Sequence, residues 1–324
     1  GTSVSLTYDT RTGTAQSITL TGTTTNTGAG ELNLNYLSSG QIIINGAINS
    51  TSTGKINVVA QTTYATNAIA TCTAGACASI YNGASGSITT KGGYVVIDAT
   101  GGTISGTTIT MGSILNGPIY LNAGINTTTT GGTGSGPGGN FSLAGSDNLA
   151  NGIGSFEPNV APLNIGGNAS FQLKSYGSAN YGFVVASYLT TSPITAYGNI
   201  SITSTGITAS TVGLIYLTSP ITSTNGNITL TATSSSTTST TNPGVSSTTA
   251  GTITANAGSV TITSSTNASA AVALAGTITA SSGITITANG TTAGTIATVG
   301  SLVNSPAMAS GSYLSTSATT PTFL

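Results

Sequence analysis

Few side chains in this 324-residue sequence could do covalent or ionic chemistry, and their spacing limits them further. There is no histidine, which excludes Ser-His-Asp catalysis and leaves no side chain that ordinarily titrates between about pH 5 and 8. The acids Asp9, Glu31, Asp98, Asp147 and Glu157 are scattered. Glycoside cleavage needs paired carboxylates and a calcium loop needs clustered ones; neither pattern is present. Cys72 and Cys77 enclose a short Thr-Ala-Gly-Ala segment, a spacing that suits a small loop disulfide in an oxidising compartment. Without a second pair or a histidine they cannot build a tetrahedral zinc site. Lys55, Lys91 and Lys174 could each form an isopeptide bond with an Asn beside a carboxylate, although such lysines more often lay their stems along the surface. Asn-x-Ser/Thr sequons at Asn49, Asn126, Asn140, Asn168, Asn199, Asn227, Asn267 and Asn289 are about as many as chance produces in a Ser/Thr-rich chain. They become glycosylation sites only in an organism that modifies them. No catalytic residues, cofactor or metal are expected, and the chain reads as a non-enzyme.

Composition narrows the class. Charged residues make up 3% of the chain, against about 25% in an ordinary soluble domain. With a formal net charge of −1 there is no basic field for nucleic acid or for an anionic membrane surface. No apolar run is long enough to span a bilayer. Disorder fits poorly, because mean hydropathy is +0.27 and Ile, Val and Leu recur regularly. Solubility must come from hydroxyl and amide groups, which suits an uncontrolled exterior. The opening Gly1-Thr2-Ser3-Val4 has no charged and apolar leader pattern, so the expectation is that any secretory signal has been removed.

The elements that must carry these residues are strands. Thr, Ser, Gly and Asn form helices poorly, and no sustained 3.6-residue period is present. Short alternating runs instead end in Gly or Asn turns. Four of them align: Ile194-Thr195-Ala196, Ile221-Thr222-Ser223, Ile253-Thr254-Ala255 and Ile278-Thr279-Ala280, each followed by a turn and a second strand with two inward apolar residues. A spacing of about 25–32 residues is that of a repeat architecture in which stacked coils build a core no single unit can bury. Leu214–Leu217 and Ala271–Ala275 supply a third strand per coil. Asn-Gly pairs at Asn45, Asn82, Asn116, Asn151, Asn225 and Asn289 mark corners, but they could also close hairpins, which keeps an antiparallel pilin-like β-sandwich as the alternative. The fold expected is all-β, a right-handed parallel β-helix with irregular loops. Its stretches are 1–126 with an N-terminal strand, a Gly/Thr-rich loop at 127–139, a repetitive region at 140–304 and a strand-like tail at 305–324.

Strings such as Gly226-Asn227-Ile228-Thr229-Leu230-Thr231-Ala232 and Gly283-Ile284-Thr285-Ile286-Thr287-Ala288 resemble the repeats of filamentous-haemagglutinin-like exoproteins, over about 190–300. The resemblance implies a secreted, surface-associated β-helix with roles in adhesion and biofilm, and host or neighbouring cell surfaces or glycans as partners. The Asn-Pro-rich secretion motifs of that family are not matched, since the sequence has only Asn242-Pro243. Exposed strand edges suggest a further partner, the chain itself. Val4, Leu6 and Tyr8 at one end and Tyr313, Leu314 and Phe323 at the other are the candidate subunit contacts for head-to-tail assembly into an extracellular filament. A stalk segment of a large adhesin is the alternative. An ice-binding face of Thr-x-Thr arrays and a glycan-active enzyme rank behind both.

Overall fold

The computed structural model of the protein describes residues 2–12, 16–62, 80–112, 119–121, 123–130, 136–147, 156–158, 162–175, 183–185, 193–206, 214–234, 243–266, 270–289, 295–304 and 313–316. Among them there is no helix; the chain winds as a parallel β-solenoid. Each full coil contributes three walls. The long wall is an eleven-stranded parallel sheet whose strands follow chain order from Val4–Asp9 through Glu31–Ser38, Lys55–Thr62, Val95–Asp98, Phe141–Asp147, Ala169–Ser175 and Ile200–Gly206 to Tyr313–Thr316. The other two walls are rows of short strands. One row runs from Ile18–Leu20 through Ile42–Ile44 to Val245–Ser247, the other from Thr24–Asn26 through Ile48–Ser50 to Ile253–Ala255. Late in the chain the single strand Ala270–Ala280 serves both rows, pairing Val272 with Val245 and Ile278 with Ile253.

The sequence alignment is realised as ladder register. Ile194, Ile221, Ile253 and Ile278 are direct cross-coil partners, as are Ile200, Ile228, Val260 and Ile284 on the long wall. Alternation with period two sends these side chains inward, where they are fully buried, and sends Thr, Ser and Asn outward. The early coils use larger fillers on the same pattern. Tyr36, Phe141 and Phe171 are buried in the same continuous core, the last two meeting edge to face with centroids 5.5 Å apart. The antiparallel β-sandwich is excluded by this topology. Among the described residues, antiparallel pairing is confined to one hairpin, Thr103–Ser105 with Thr108–Thr110, and an isolated bridge between Thr128 and Gly138. That bridge closes a loop at 127–139, while the ladder passes unbroken from Val95–Asp98 to Phe141–Asp147.

Stacking at about 4.8 Å brings backbone onto backbone at the corners, and glycine makes this possible. One column runs Gly28, Gly54, Gly93, Gly139, Gly167, Gly198, Gly226 and Gly258. From Gly54 onward, a Cβ on any of them would run into the coil before: into Gly28 O from Gly54, Gly54 O from Gly93, and Gly226 O from Gly258. Next to the column stands a ladder of amides. The backbone N–H of Asn168, Asn199, Asn227 and Ser259 each donates to the Oδ1 of the Asn one coil earlier, at 2.9, 2.8, 2.7 and 2.8 Å. Gly226→Ala, whose Cβ would lie 2.5 Å from both Asn199 N and Gly198 C, is expected to cost about 2–3 kcal/mol. Gly22→Ala, with open space around it, should change stability by less than about 0.5 kcal/mol. Denaturant unfolding of the two variants measures the difference.

Candidate functional site: an open end and a roofed groove

Two places in the fold depart from its repeating pattern. The first is the end of the solenoid formed by residues 2–26. Val4, Leu6 and Tyr8 occupy the core-facing positions of the first long-wall strand and stack on Leu32, Leu34 and Tyr36. Their partners are buried, but they themselves are 52%, 36% and 42% exposed. Tyr8 lies over Tyr36 with ring centroids 5.6 Å apart. The apolar core therefore continues to this end, and among the described residues nothing covers it there.

The backbone at this end is also half used. Core-facing residues donate their N–H forward to the next coil: Ile18 to Gln41 O at 2.9 Å, Ile56 to Tyr94 O at 3.0 Å, Ile200 to Asn227 O at 2.9 Å. Outward-facing and corner residues donate backward: Asn45 to Leu20 O at 2.8 Å, Lys55 to Gly30 O at 3.3 Å, Thr51 to Asn26 O at 2.9 Å. By the same alternation, the outward-facing Ser5 and Thr7 of the first strand aim their peptide groups at the open side. At the far end, the pairings among the described residues join Thr295–Asn304 and Tyr313–Thr316 to the preceding coil. Charge does little to protect the first coil. Its two charged residues, Asp9 and Arg11, pair with each other at 2.6 Å, and that hydrogen bond holds the Asp9 carboxyl down at about 2.

The second departure is a roof over the outer face of the long wall. The hairpin at 103–110 packs Ile109 against Val96 and Ala144, with Tyr94, Ile104 and Met111 at the margin, so this stretch of wall is buried on both faces. Asp98 anchors the hairpin's entry. It is fully buried, and its carboxylate accepts from Thr100 N at 2.9 Å, Thr100 Oγ1 at 2.6 Å and Gly102 N at 2.8 Å. Three donors offset the desolvation of a buried charge. Thr107 O accepts from Ser142 Oγ at 2.6 Å and Ile109 O from Gln172 Nε2 at 3.3 Å, tying the hairpin down on later coils.

Beside the roof lies a polar groove of about 340 Å³, floored by Ser5, Asn33, Asn35, Asn57 and Val59, walled by Gly102, Ile104 and Gly106, and closed by Glu31 and Tyr94. Glu31 Oε1 accepts from Tyr94 OH at 2.7 Å and pairs with Lys55 Nζ at 3.4 Å, and Lys55 sits 4.8 Å from the Tyr94 ring centroid. The tyrosine hydrogen bond, ahead of Lys55, holds the Glu31 carboxyl below its ordinary range.

The structure places the other sequence-predicted residues variously. Asn140, Asn168, Asn199 and Asn227 form the amide ladder, with Oδ1 engaged. Asn126 Oδ1 takes the N–H and hydroxyl of Thr128, the third residue of its own sequon. Asn49 is a half-buried outward position, and Asn289 ends a long-wall strand. Tyr313 and Leu314 belong to the last long-wall strand, in register with Thr285 and Ile286. Cys72, Cys77, Asn267 and Phe323 lie outside the described residues. The hairpin roof and the Glu31–Tyr94–Lys55 cluster were missed in the sequence. The register pairing Glu31 with Lys55 becomes visible only once the coils are aligned. Compared with family models, with curated proteins and with solved structures, the chain gives no match to any of the three.

Two outcomes follow from this geometry. Asp98→Ala removes the acceptor of three bonds and should cost about 2–3 kcal/mol, exposing 103–110 to limited proteolysis before the rest of the chain. Stability should be flat from about pH 5 to 9 and fall in alkali. Burial, then the charge of Tyr8, raises Tyr36; burial, then the bond to Glu31, raises Tyr94. A folded-state value raised above the unfolded 10.0 means the unfolded chain releases protons first, so stability present below pH 10 is lost as pH rises beyond it. Thermal melts across pH 5–11.5 check this.

Proposed function

We propose that the protein is a secreted structural protein whose copies stack head to tail into an extracellular filament. The observation that supports this reading is that the stacking pattern continues to the first strand, where the core-facing side chains are exposed and no described residue stacks on them. Val4, Leu6 and Tyr8 are core residues without cover. Gly28 begins the glycine column, and Gly22 stands one coil before Gly46, whose Cβ would run into Gly22 O. Yet a Cβ on Gly22 would meet nothing within 4 Å, and one on Gly28 nothing nearer than 3.8 Å. Glycine at these corners has a purpose if another coil lies against them.

Every coil-to-coil ladder on the three walls is parallel, so the peptide groups that the first strand aims outward match what a coil stacked in the same direction presents. That complementarity favours head-to-tail contact over a closed head-to-head dimer, and contacts of this heterologous kind propagate as open fibres. An almost uncharged surface is consistent with an extracellular setting, where pH and salt are not controlled. The same open end could seat an upstream coil of a longer chain, which is the adhesin-stalk reading, and purified protein separates the two. Negative-stain electron microscopy should show filaments with a subunit-scale axial repeat. Isolated rods of uniform length would favour the stalk.

Gly28→Leu should leave the melting temperature within about 2 °C, because the site is open in the single chain, while abolishing filaments. Thr7→Pro should do the same, since within the chain it removes only an exposed bond from Asn35 Nδ2 to the Thr7 hydroxyl, besides the N–H aimed at the open side. Filaments of normal length from both variants would overturn the assembly surface proposed.

A further inference from the structure

The groove beside the hairpin contains a polar atom that the fold leaves without a partner. Asn57 is 7% exposed, and its Nδ2 donates to Asn33 Oδ1 at 2.8 Å, but its Oδ1 is buried with no hydrogen bond. Such an acceptor costs stability unless something donates to it. Asn33 and Asn57 are amides, whereas the positions in the same column on later coils, Ser142, Ser170, Ser201, Thr229 and Thr261, carry a single hydroxyl that is far easier to satisfy. Asn33 Nδ2 reaches Ser5 Oγ at 3.4 Å, and Asn35 Nδ2 reaches Thr7 Oγ1 at 3.3 Å, so the floor is a patch of amides and hydroxyls under the hairpin.

We propose that this groove binds the pyranose ring of a saccharide. Each amide offers both donors and an acceptor, which matches ring hydroxyls that must donate and accept at once. Asn57 lines the groove and its Oδ1 is an acceptor held out of water, which a ring hydroxyl reaches once the amide turns toward the groove. Glu31 takes Tyr94 and Lys55 on the same oxygen, Oε1, and neither uses Oε2. Val59 and Ile104 give aliphatic surface for a sugar's C–H face, and the volume is at the low end for small-ligand sites. A phosphate ligand fits poorly, because the nearby cation, Lys55, is held by Glu31. An extended peptide fits poorly too, because the strands carrying Asn33, Asn35 and Asn57 are paired on both sides and the edge at Ser5 faces along the axis, not into the groove. The groove faces sideways from the solenoid, so this proposal does not depend on filament assembly.

Saturation-transfer NMR on the full chain tests it, using free glucose, galactose, mannose and N-acetylglucosamine, and the methyl glycoside of each. At least one should show transfer. The signal should fall at least tenfold in Asn57→Thr and in Asn35→Ala, and stay unchanged in Thr231→Ala on a distant coil. Asn57→Thr restores the residue type usual on this wall and should melt at or above the parent temperature, which separates loss of binding from loss of fold. Preference for a methyl glycoside over the reducing sugar would assign the site to the ends of surface glycans, and equal binding to free sugars. No transfer to any sugar, or equal transfer in all variants, would overturn the proposal.

Discussion

The spacing between coils governs everything else in this protein. Parallel strands hydrogen-bond at about 4.8 Å and no other distance will do, so every wall and every corner must advance by that step with each turn. Flat walls accept it easily, since side chains stand perpendicular to the sheet. Corners do not, because there the backbones of successive coils approach one another side on. The column from Gly28 to Gly258 is the response, and the neighbouring ladder from Asn140 to Ser259 satisfies the corner N–H groups that the wall ladders cannot reach. A bulky residue in the column would force one pair of coils apart, and the ladders on all three walls would lengthen together. This coupling is why a corner without side chains matters more to the fold than most of its outward-facing residues.

Given that spacing, the core follows. A buried isoleucine lies on the isoleucine of the next coil with the same rotamer environment, so a one-residue pattern repeated at intervals of about 25–32 residues builds a continuous apolar column. Charge has no natural place in such a stack. A carboxylate on one coil would meet whatever occupies the same position on the next, and like charges about 4.8 Å apart would repel. The chain avoids this by omission: residues 175–324 contain no charged side chain at all. Where charges do stack, they are complementary, as Glu31 over Lys55, or individually enclosed, as Asp98.

These two rules explain what was legible in the sequence and what was not. The pairing of Ile194 with Ile221, Ile253 and Ile278 could be aligned by eye, because one coil dictates its neighbour's residue types and the intervening loops are short enough to leave the period visible. The core positions of the first strand, Val4, Leu6 and Tyr8, were legible from alternation alone. The hairpin at 103–110 was not. Thr103-Ile104-Ser105 and Thr108-Ile109-Thr110 have the same composition and alternation as a wall strand, and nothing in a run of three residues says whether its isoleucine faces the core or clamps the outside of the wall. The groove was illegible for a related reason. Glu31, Asn57 and Tyr94 belong to three successive coils, and the insertion at 103–110 that encloses them carries no motif.

The assembly end and the sugar groove proposed above draw on different parts of the same geometry, so the two proposals do not compete. Assembly along the solenoid axis engages only what a coil presents to the next coil: core side chains, ladder groups and corner glycines. Recognition beside the hairpin engages what a wall presents outward, namely the amides of Asn33, Asn35 and Asn57. Neither set can substitute for the other, because alternation along a strand assigns each residue to one role. Ser5 illustrates the division within a single residue. Its peptide group is aimed along the axis, while its hydroxyl lies on the groove floor, 3.4 Å from Asn33. In the proposed fibre each groove would stay open on its flank, repeated once per subunit. A surface of identical weak sites at fixed spacing gains avidity from repetition without any change in the single site.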